Sequence, residues 1–119
     1  MSRKGRKIKP WSKRFYVQKK KRPAARNYDD PLYKNWRKQV FVRDGYKCQW
    51  PGCTCGKRIN AHHILKWADY PGMRFVLMNG ITLCKKHHDQ VKGREDYYVK
   101  FFSELLRSNE ERKRDEHNN

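Results

Sequence analysis

The sequence predicts a small α+β domain that is held together by a structural metal and preceded by a basic arm. The chain has 119 residues, of which 36% are hydrophobic, so its core is small. Small cores usually depend on disulfides or a structural metal. All four cysteines and four of the five histidines lie between residues 48 and 88, and helical and strand-like patterns surround this cluster.

The charge of the chain predicts its class of partner. The formal net charge of +18 comes from 30 Lys and Arg against 12 Asp and Glu, and such a field attracts nucleic acid before an acidic membrane surface. No apolar run approaches the roughly 20 residues of a membrane-spanning helix, and the N-terminus lacks the apolar stretch of a secretory signal. We therefore expect a cytoplasmic protein without a membrane partner, in which clustered thiols favour metal over disulfides.

Residues 1–28 are predicted to form a nucleic-acid-binding arm. They contain twelve Lys or Arg and no acidic residue, and no hydrophobic period is sustained, so we expect disorder until the arm meets phosphate. Its strongest basic run consists of Lys19, Lys20, Lys21 and Arg22. Interleaved aromatic residues can stack on bases. The alternative is a solubilising or localisation tail.

The ordered domain, residues 29–108, is predicted to begin with a helix from Pro31 to Arg43. Asp30 suits the N-cap and Pro31 the first helical position, and Asp44 with Gly45 predicts a turn at the end. The apolar stripe of this helix consists of Leu32, Trp36 and Val40, and its basic face of Lys34, Arg37 and Lys38. The basic face contacts either phosphate or water, and the pattern is compatible with both.

Two residue pairs predict a structural zinc site. Cys48 and Cys53 flank a loop with a Pro-Gly turn, which is the form of a zinc knuckle. Cys84 and His87 stand three apart at the start of a predicted helix, so they lie on one side of it. Three thiolates and one imidazole complete a tetrahedral site without an open position for substrate. Cys55 is an alternative to Cys53, although it needs a longer loop.

The segment between the two pairs predicts two short strands. Residues 58–65 alternate before His62 and His63, and a second strand is expected around residues 81–83, after a turn at Asn79. From Cys84 the pattern becomes helical, with a break at Gly93. His88 could compete with His87 for the zinc, because residues three and four apart are both neighbours on a helix.

The C-terminal part predicts one more helix, from about residue 94 to residue 107. Its wide apolar stripe, which we expect to pack in the core, consists of Tyr97, Tyr98, Phe101, Phe102, Leu105 and Leu106. Residues 109–119 are predicted to be a frayed polar tail. His117 lies in that tail and has no expected role.

Three features in this order resemble the HNH endonuclease family. They are a strand with His-His, an Asn at the start of the next strand, and a helix that opens with Leu-Cys-x-x-His-His. The segments NAHHI and NGITLC have the form common among phage and prophage members with a zinc-binding knuckle. The resemblance covers residues 42–92 and implies the ββα-metal fold. In two departures, His87 stands where the second zinc pair usually has a cysteine, and Lys92 stands where colicin-type members have a further histidine.

The resemblance implies a metal-dependent endonuclease that hydrolyses double-stranded DNA and leaves 5′-phosphate and 3′-hydroxyl ends. His63 is implied as the general base that activates water, and an unperturbed histidine is suited to this near pH 7. His62 and His88 are implied as the two protein ligands of a catalytic Mg²⁺ or Mn²⁺ ion, with Ni²⁺ or Zn²⁺ also compatible with imidazole. Asn79 is implied to hydrogen-bond across the loop and hold the orientation and tautomer of His63.

The family also implies a biological setting. A chain of this size suits phage packaging, with packaging proteins as partners, or a homing role, and it suits nicking of one strand in the host cytoplasm. The oligomeric state and the sequence preference are left open.

Two alternatives weigh against this interpretation. Adjacent residues of a regular strand face opposite ways, so His62 and His63 serve one site only if the strand ends or is distorted there, and otherwise one of them is a core histidine.

The second function class is a non-catalytic, zinc-stabilised nucleic-acid-binding module. Such a module needs neither His63 nor His88 once the zinc is bound, so the presence of both favours the enzyme.

Overall fold

The computed structural model describes residues 26–117, which form a mixed α/β arrangement consistent with the predicted α+β class. The elements are helix α1 (Pro31–Arg43), strand β1 (Ile59–His63), strand β2 (Gly80–Cys84), helix α2 (Lys85–Val91) and helix α3 (Glu95–His117). Single 3₁₀ turns at Pro71–Met73 and Leu77–Asn79 lie between the strands. Residues 1–25 of the predicted arm, with Lys19, Lys20, Lys21 and Arg22, lie outside the described residues.

Helix α1 has the predicted bounds, which confirms that prediction. The side-chain Oδ1 of Asp30 accepts a hydrogen bond of 2.9 Å from the backbone N–H of Leu32, so Asp30 caps the helix. At the other end, Asp44 is buried and its Oδ2 accepts a 2.9 Å bond from the N–H of Thr82. The guanidinium of Arg43 donates to the same carboxylate and to the carbonyl of Gly80. These bonds fix the end of α1 against β2.

The two predicted strands are confirmed and form an antiparallel hairpin. Ile59 lies opposite Cys84 and His63 lies opposite Gly80. Every residue of β2 is buried, because helices pack on the hairpin. Trp36 and Val40 of α1 are both almost inaccessible to water. The hairpin therefore holds the paired histidines at one end of β1 and Cys84 at the far end of β2.

Gly80 permits the close approach of α1 to the hairpin. A Cβ atom at this position would lie 2.5 Å from Cγ2 of Val40 and 2.6 Å from Cζ2 of Trp36. Both side chains are buried, so neither can move aside easily. We expect Gly80→Ala to lower the free energy of unfolding by about 1–3 kcal/mol, the usual cost of overpacking. Urea unfolding followed by circular dichroism measures this effect, and a change below about 0.5 kcal/mol would contradict the packing described.

Helix α3 is longer than predicted. The predicted frayed tail is wrong, since the helix continues to His117. The Nζ of Lys113 donates a 2.8 Å hydrogen bond to the carbonyl of Arg43, which ties the last turns to the end of α1. An ion pair between Arg107 and Glu111, four residues apart, adds local support. The polar composition of this segment indicates that it is exposed to solvent, which is compatible with a helix.

The aromatic stripe of α3 is only partly in the core. Phe102 and Leu106 are buried, as predicted. The expectation is wrong for Tyr97, whose side chain is 80% exposed, and for Phe101, which is 38% exposed, because the stripe is wider than the surface of the hairpin that it covers. The predicted break before α3 is confirmed at Gly93, which has a φ of +84°.

No helix within residues 26–117 combines the length and apolar character that crossing a bilayer requires.

Candidate functional site

Four of the predicted metal ligands converge on one point. The ligand atoms of Cys48, Cys53, Cys84 and His87 all lie within 4.8 Å of one another. The Nδ1 atom of His87 is 3.5 Å from the Sγ of Cys48 and 3.4 Å from the Sγ of Cys84. In a tetrahedral site with Zn–S near 2.3 Å and Zn–N near 2.0 Å, neighbouring S and N ligands are roughly 3.5 Å apart. The group can therefore hold a metal ion such as zinc.

The local backbone explains how the first pair is presented. The N–H of Cys53 donates to the carbonyl of Trp50 at 2.8 Å, and Gly52 adopts a φ of +82°, so the loop between the cysteines is a tight turn. Cys55 is exposed, and its thiol lies 3.6 Å from the carbonyl of Lys57. Of the two alternatives, the structure therefore brings Cys53 and not Cys55 to the group.

The second pair lies at the junction of β2 and α2. Cys84 ends β2 and His87 lies in the first turn of α2. Burial opposes ionisation of Cys84, but hydrogen bonds from the backbone N–H groups of His87 and Lys86, among others, leave its pKa below the ordinary value. By contrast, burial raises the pKa of Cys48 to about 11. Without a metal, the group therefore holds at least one protonated thiol at neutral pH.

Trp50 is a contributor that the sequence interpretation missed. Its ring stacks on the imidazole of His87 with a centroid distance of 4.7 Å and an interplanar angle of 3°. The stack holds the imidazole plane with Nδ1 toward the thiols. A tryptophan between two knuckle cysteines was the available signal, but sequence does not indicate which ring it contacts.

His62 and His88 lie close together, and neither belongs to the group of three thiols and His87. Their ring centroids are 5.8 Å apart. The Nε2 of His62 is buried and has no hydrogen-bond partner among the described residues, which is unfavourable unless something else satisfies it. Burial, together with the charges of His88 and His63, lowers the pKa of His62 to about 3, so its ring is neutral at pH 7. A neutral imidazole is the form that binds metal.

His63 lies in a different environment from His62, although the two are adjacent. Its ring stacks on the indole of Trp36 with centroids 3.9 Å apart, whereas the ring of His62 contacts Phe102 on the opposite side. Strand pairing continues through His63, and β1 ends there. The two rings therefore lie in different surroundings. A substrate that contacts both rings must lie across the end of β1.

The tautomer of His63 is fixed by the backbone. Its Nε2 lies 2.9 Å from the carbonyl oxygen of Arg74. Because a carbonyl only accepts hydrogen bonds, Nε2 carries the proton and Nδ1 carries the lone pair. Burial lowers the pKa of His63 to about 4; the carbonyl opposes this shift, and the charges of Arg26 and Arg74 reinforce it. The ring is neutral at pH 7 and has one nitrogen able to accept a proton.

Asn79 spans the loop but does not bond to His63. Its Oδ1 accepts a 2.7 Å bond from the N–H of Leu65, and its Nδ2 donates to the carbonyls of Leu65 and Met73 at 3.2 and 3.0 Å. The predicted hydrogen bonding across the loop is observed, whereas the tautomer of His63 is set by the carbonyl of Arg74 and not by Asn79. Asn79 supports His63 only indirectly, because it donates to the carbonyl of Met73, the residue before Arg74.

We expect Asn79→Ala to destabilise the domain. Three backbone groups would lose a buried partner, and each such loss costs about 1–3 kcal/mol before water enters, so a decrease of roughly 3 kcal/mol is expected. Asn60→Ala is the matched control, since Asn60 donates one exposed bond to the carbonyl of Arg58. Chemical denaturation of both variants measures the difference. Equal stabilities would show that the loop does not depend on Asn79.

The predicted basic face of α1 is exposed. Lys34 lies 3.9 Å from the carboxylate of Asp29, and Lys38 is open to water. Arg37 lies over the ring of Phe41, with its guanidinium carbon 4.6 Å from the centroid. All three basic side chains are therefore accessible from solvent.

The site therefore has two parts that meet at the β2–α2 junction. A closed group of three thiols and an imidazole lies beside a pair of histidines with an unsatisfied nitrogen, and His63 is the last residue of β1. The chain matches no protein-family model, no curated protein and no solved structure. The residues themselves carry the functional interpretation.

Proposed function

We propose that the protein is an HNH-type, metal-dependent DNA endonuclease with a ββα-metal fold and a structural zinc. The observation that carries the proposal is the unsatisfied, buried Nε2 of His62 beside His88. The closed group consists of Cys48, Cys53, Cys84 and His87, so neither His62 nor His88 is needed as one of its ligands. An unsatisfied imidazole nitrogen facing a second imidazole suits a second ion.

His62 and His88 are the residues that would hold this catalytic ion. An ion about 2.1 Å from a ring nitrogen lies roughly 3 Å from the ring centre, so two rings with centres 5.8 Å apart can share one ion. Mg²⁺ or Mn²⁺ is proposed, with Ni²⁺ or Zn²⁺ as further ions that imidazole admits. When bound, the ion supplies Lewis acidity to the phosphate and charge stabilisation to the departing oxygen.

His63 is proposed as the general base. With the proton of Nε2 engaged by the Arg74 carbonyl, Nδ1 is the atom that accepts a proton from water. Stacking on Trp36 holds the ring plane while the proton is transferred. The resulting hydroxide attacks phosphorus, the bond to the 3′ oxygen breaks, and that oxygen takes up a proton from solvent water, which leaves a 5′-phosphate and a 3′-hydroxyl.

The charge of the chain supports double-stranded DNA as the substrate. A net charge of +18 supplies affinity for phosphate without sequence preference. The arm residues Lys19, Lys20, Lys21 and Arg22, with Arg37 and Lys38 of α1, are the proposed backbone contacts. A phage packaging or homing role, with nicking of one strand, accords with the resemblance.

The test is cleavage of supercoiled plasmid in a series of Mg²⁺, Mn²⁺, Ni²⁺ and Zn²⁺. We expect nicked product from the wild-type protein and a rate lower by about 10²–10⁴-fold for His63→Ala, the usual contribution of a general base. His63→Gln is the companion variant, because its amide keeps an N–H donor for the Arg74 carbonyl but cannot act as a base. Zinc content and circular dichroism establish that both variants are folded.

Two outcomes would remove the enzyme assignment. Equal cleavage by wild type and both variants would exclude His63 as the base. An intact plasmid under every ion, together with tight and salt-sensitive DNA binding, would favour the zinc-stabilised binding module instead.

A further inference from the structure

Two arginines lie over one tryptophan ring beside His63. The guanidinium carbon of Arg74 is 3.6 Å from the ring centroid of Trp67, and that of Arg26 is 5.0 Å from it. The Nε of Arg74 donates a 2.7 Å hydrogen bond to the carbonyl of Trp67. Arg74 also provides the carbonyl that binds His63. The indole and these two hydrogen bonds hold Arg74 in one place.

Within the described residues, this arginine pair has no ion-pair partner. Neither Arg26 nor Arg74 forms an ion pair with any residue of the described range 26–117, and the remaining residues of the chain contain no Asp or Glu. Each arginine acts electrostatically on His63, and Arg26 acts on Arg74. Two cations that contact the same indole repel one another, and a nearby anion would relieve this repulsion.

Arg74 also has an unused donor. Its Nη2 is shielded from water and has no hydrogen-bond partner among the described residues. A buried guanidinium nitrogen without an acceptor is uncommon in a folded protein. Arg26, in contrast, is exposed, so its side chain can move and admit an acceptor.

We propose that Arg26 and Arg74 form a binding site for one backbone phosphate of DNA, adjacent to His63. The planar guanidinium groups are suited to phosphate oxygens, and stacking on Trp67 orients them before the ligand arrives. Arg74 supplies Nη2 to a non-bridging oxygen, and Arg26 closes over the phosphate from the exposed side. This inference deepens the proposed nuclease function, because it names the residues that hold the substrate on the His63 side of the hairpin.

The experiment is fluorescence anisotropy of a labelled DNA duplex with zinc-loaded, full-length protein, across a salt series and without added Mg²⁺ or Mn²⁺. We expect Arg74→Gln to weaken binding by about tenfold and to reduce the slope of log affinity against log salt by about 0.9, the value for one lost phosphate contact. Arg74→Lys, which keeps the charge without the planar stack, is expected to recover only part of the affinity.

Arg107→Gln is the charge-matched control, because Arg107 is exposed and pairs with Glu111. Affinity and salt slope of Arg74→Gln equal to those of this control would overturn the phosphate site. Arg26→Gln keeps the test decisive if the Arg74 variants do not fold: Arg26 is exposed, and we expect its variant to show the same loss of slope. An unchanged slope there would also overturn the proposal.

The binding test is separate from the test of nuclease activity. If Arg74→Gln binds like the control while the wild type cleaves plasmid, the phosphate site fails and the nuclease stands. If no ion produces cleavage but Arg74→Gln loses the expected slope, the nuclease proposal fails and the arginine pair remains a DNA-phosphate site.

Discussion

Replacement of Cys84 by serine is expected to unfold most of the domain at neutral pH. In small metallo-domains, structural zinc contributes on the order of 10 kcal/mol of folding energy, which is comparable with the total stability of a typical domain, about 5–15 kcal/mol. Cys84 is expected to be one of the zinc ligands. It is the last residue of β2, and its sulfur is 3.4 Å from Nδ1 of His87. Loss of one of four ligands is expected to cost several kcal/mol.

Cys55→Ser is the matched control for this experiment. Cys55 lies in the same loop region as Cys53, but it is exposed and outside the ligand group. Zinc content by mass spectrometry and thermal unfolding by circular dichroism should separate the two variants. A chelator added to the wild-type protein is expected to reproduce the loss seen for Cys84→Ser. A metal-free protein as stable as the zinc-loaded one would exclude a structural role for the metal.

Alanine substitutions at the neighbouring residues His87 and His88 are expected to have opposite effects. His87 belongs to the closed metal group, so His87→Ala should lower zinc content and stability. His88 is half-buried and faces His62, so His88→Ala should keep zinc and fold while plasmid cleavage falls by about 10²–10⁴-fold, the range of other losses of a catalytic contact. His62→Ala is expected to behave as His88→Ala does.

This pair of substitutions tests the division between the two sites directly. The measurements are zinc content, unfolding temperature and cleavage rate on the same protein preparations. Loss of zinc in both variants would merge the two sites into one. Cleavage by His88→Ala at the wild-type rate would exclude His88 as a ligand of the catalytic ion. His62 would then lack its proposed partner ligand.

The amino-acid sequence by itself determined the local elements. Helix α1 begins after Asp30 because an N-cap acceptor and a proline at the first helical position are local features, and both are visible in the sequence. The same holds for the break at Gly93 and for the pairing of Cys84 with His87, since a spacing of three sets their side of the helix. The candidate ligands of the metal group were also predictable, because ligand chemistry restricts them to few residue types.

Only the tertiary structure decided which side chains meet across the domain. Loop length favoured Cys53 over Cys55, and the tertiary structure decided the choice, because it brings Cys53 to Cys84 and His87. Likewise, the bond from His63 to the Arg74 carbonyl joins residues eleven apart through an irregular loop. Helix α3 continues to His117 although its last turns are polar, and its Lys113 bonds to the end of α1, seventy residues earlier. Contacts of this kind depend on the packing of whole elements, whereas helix ends and ligand spacing depend on a few neighbouring residues.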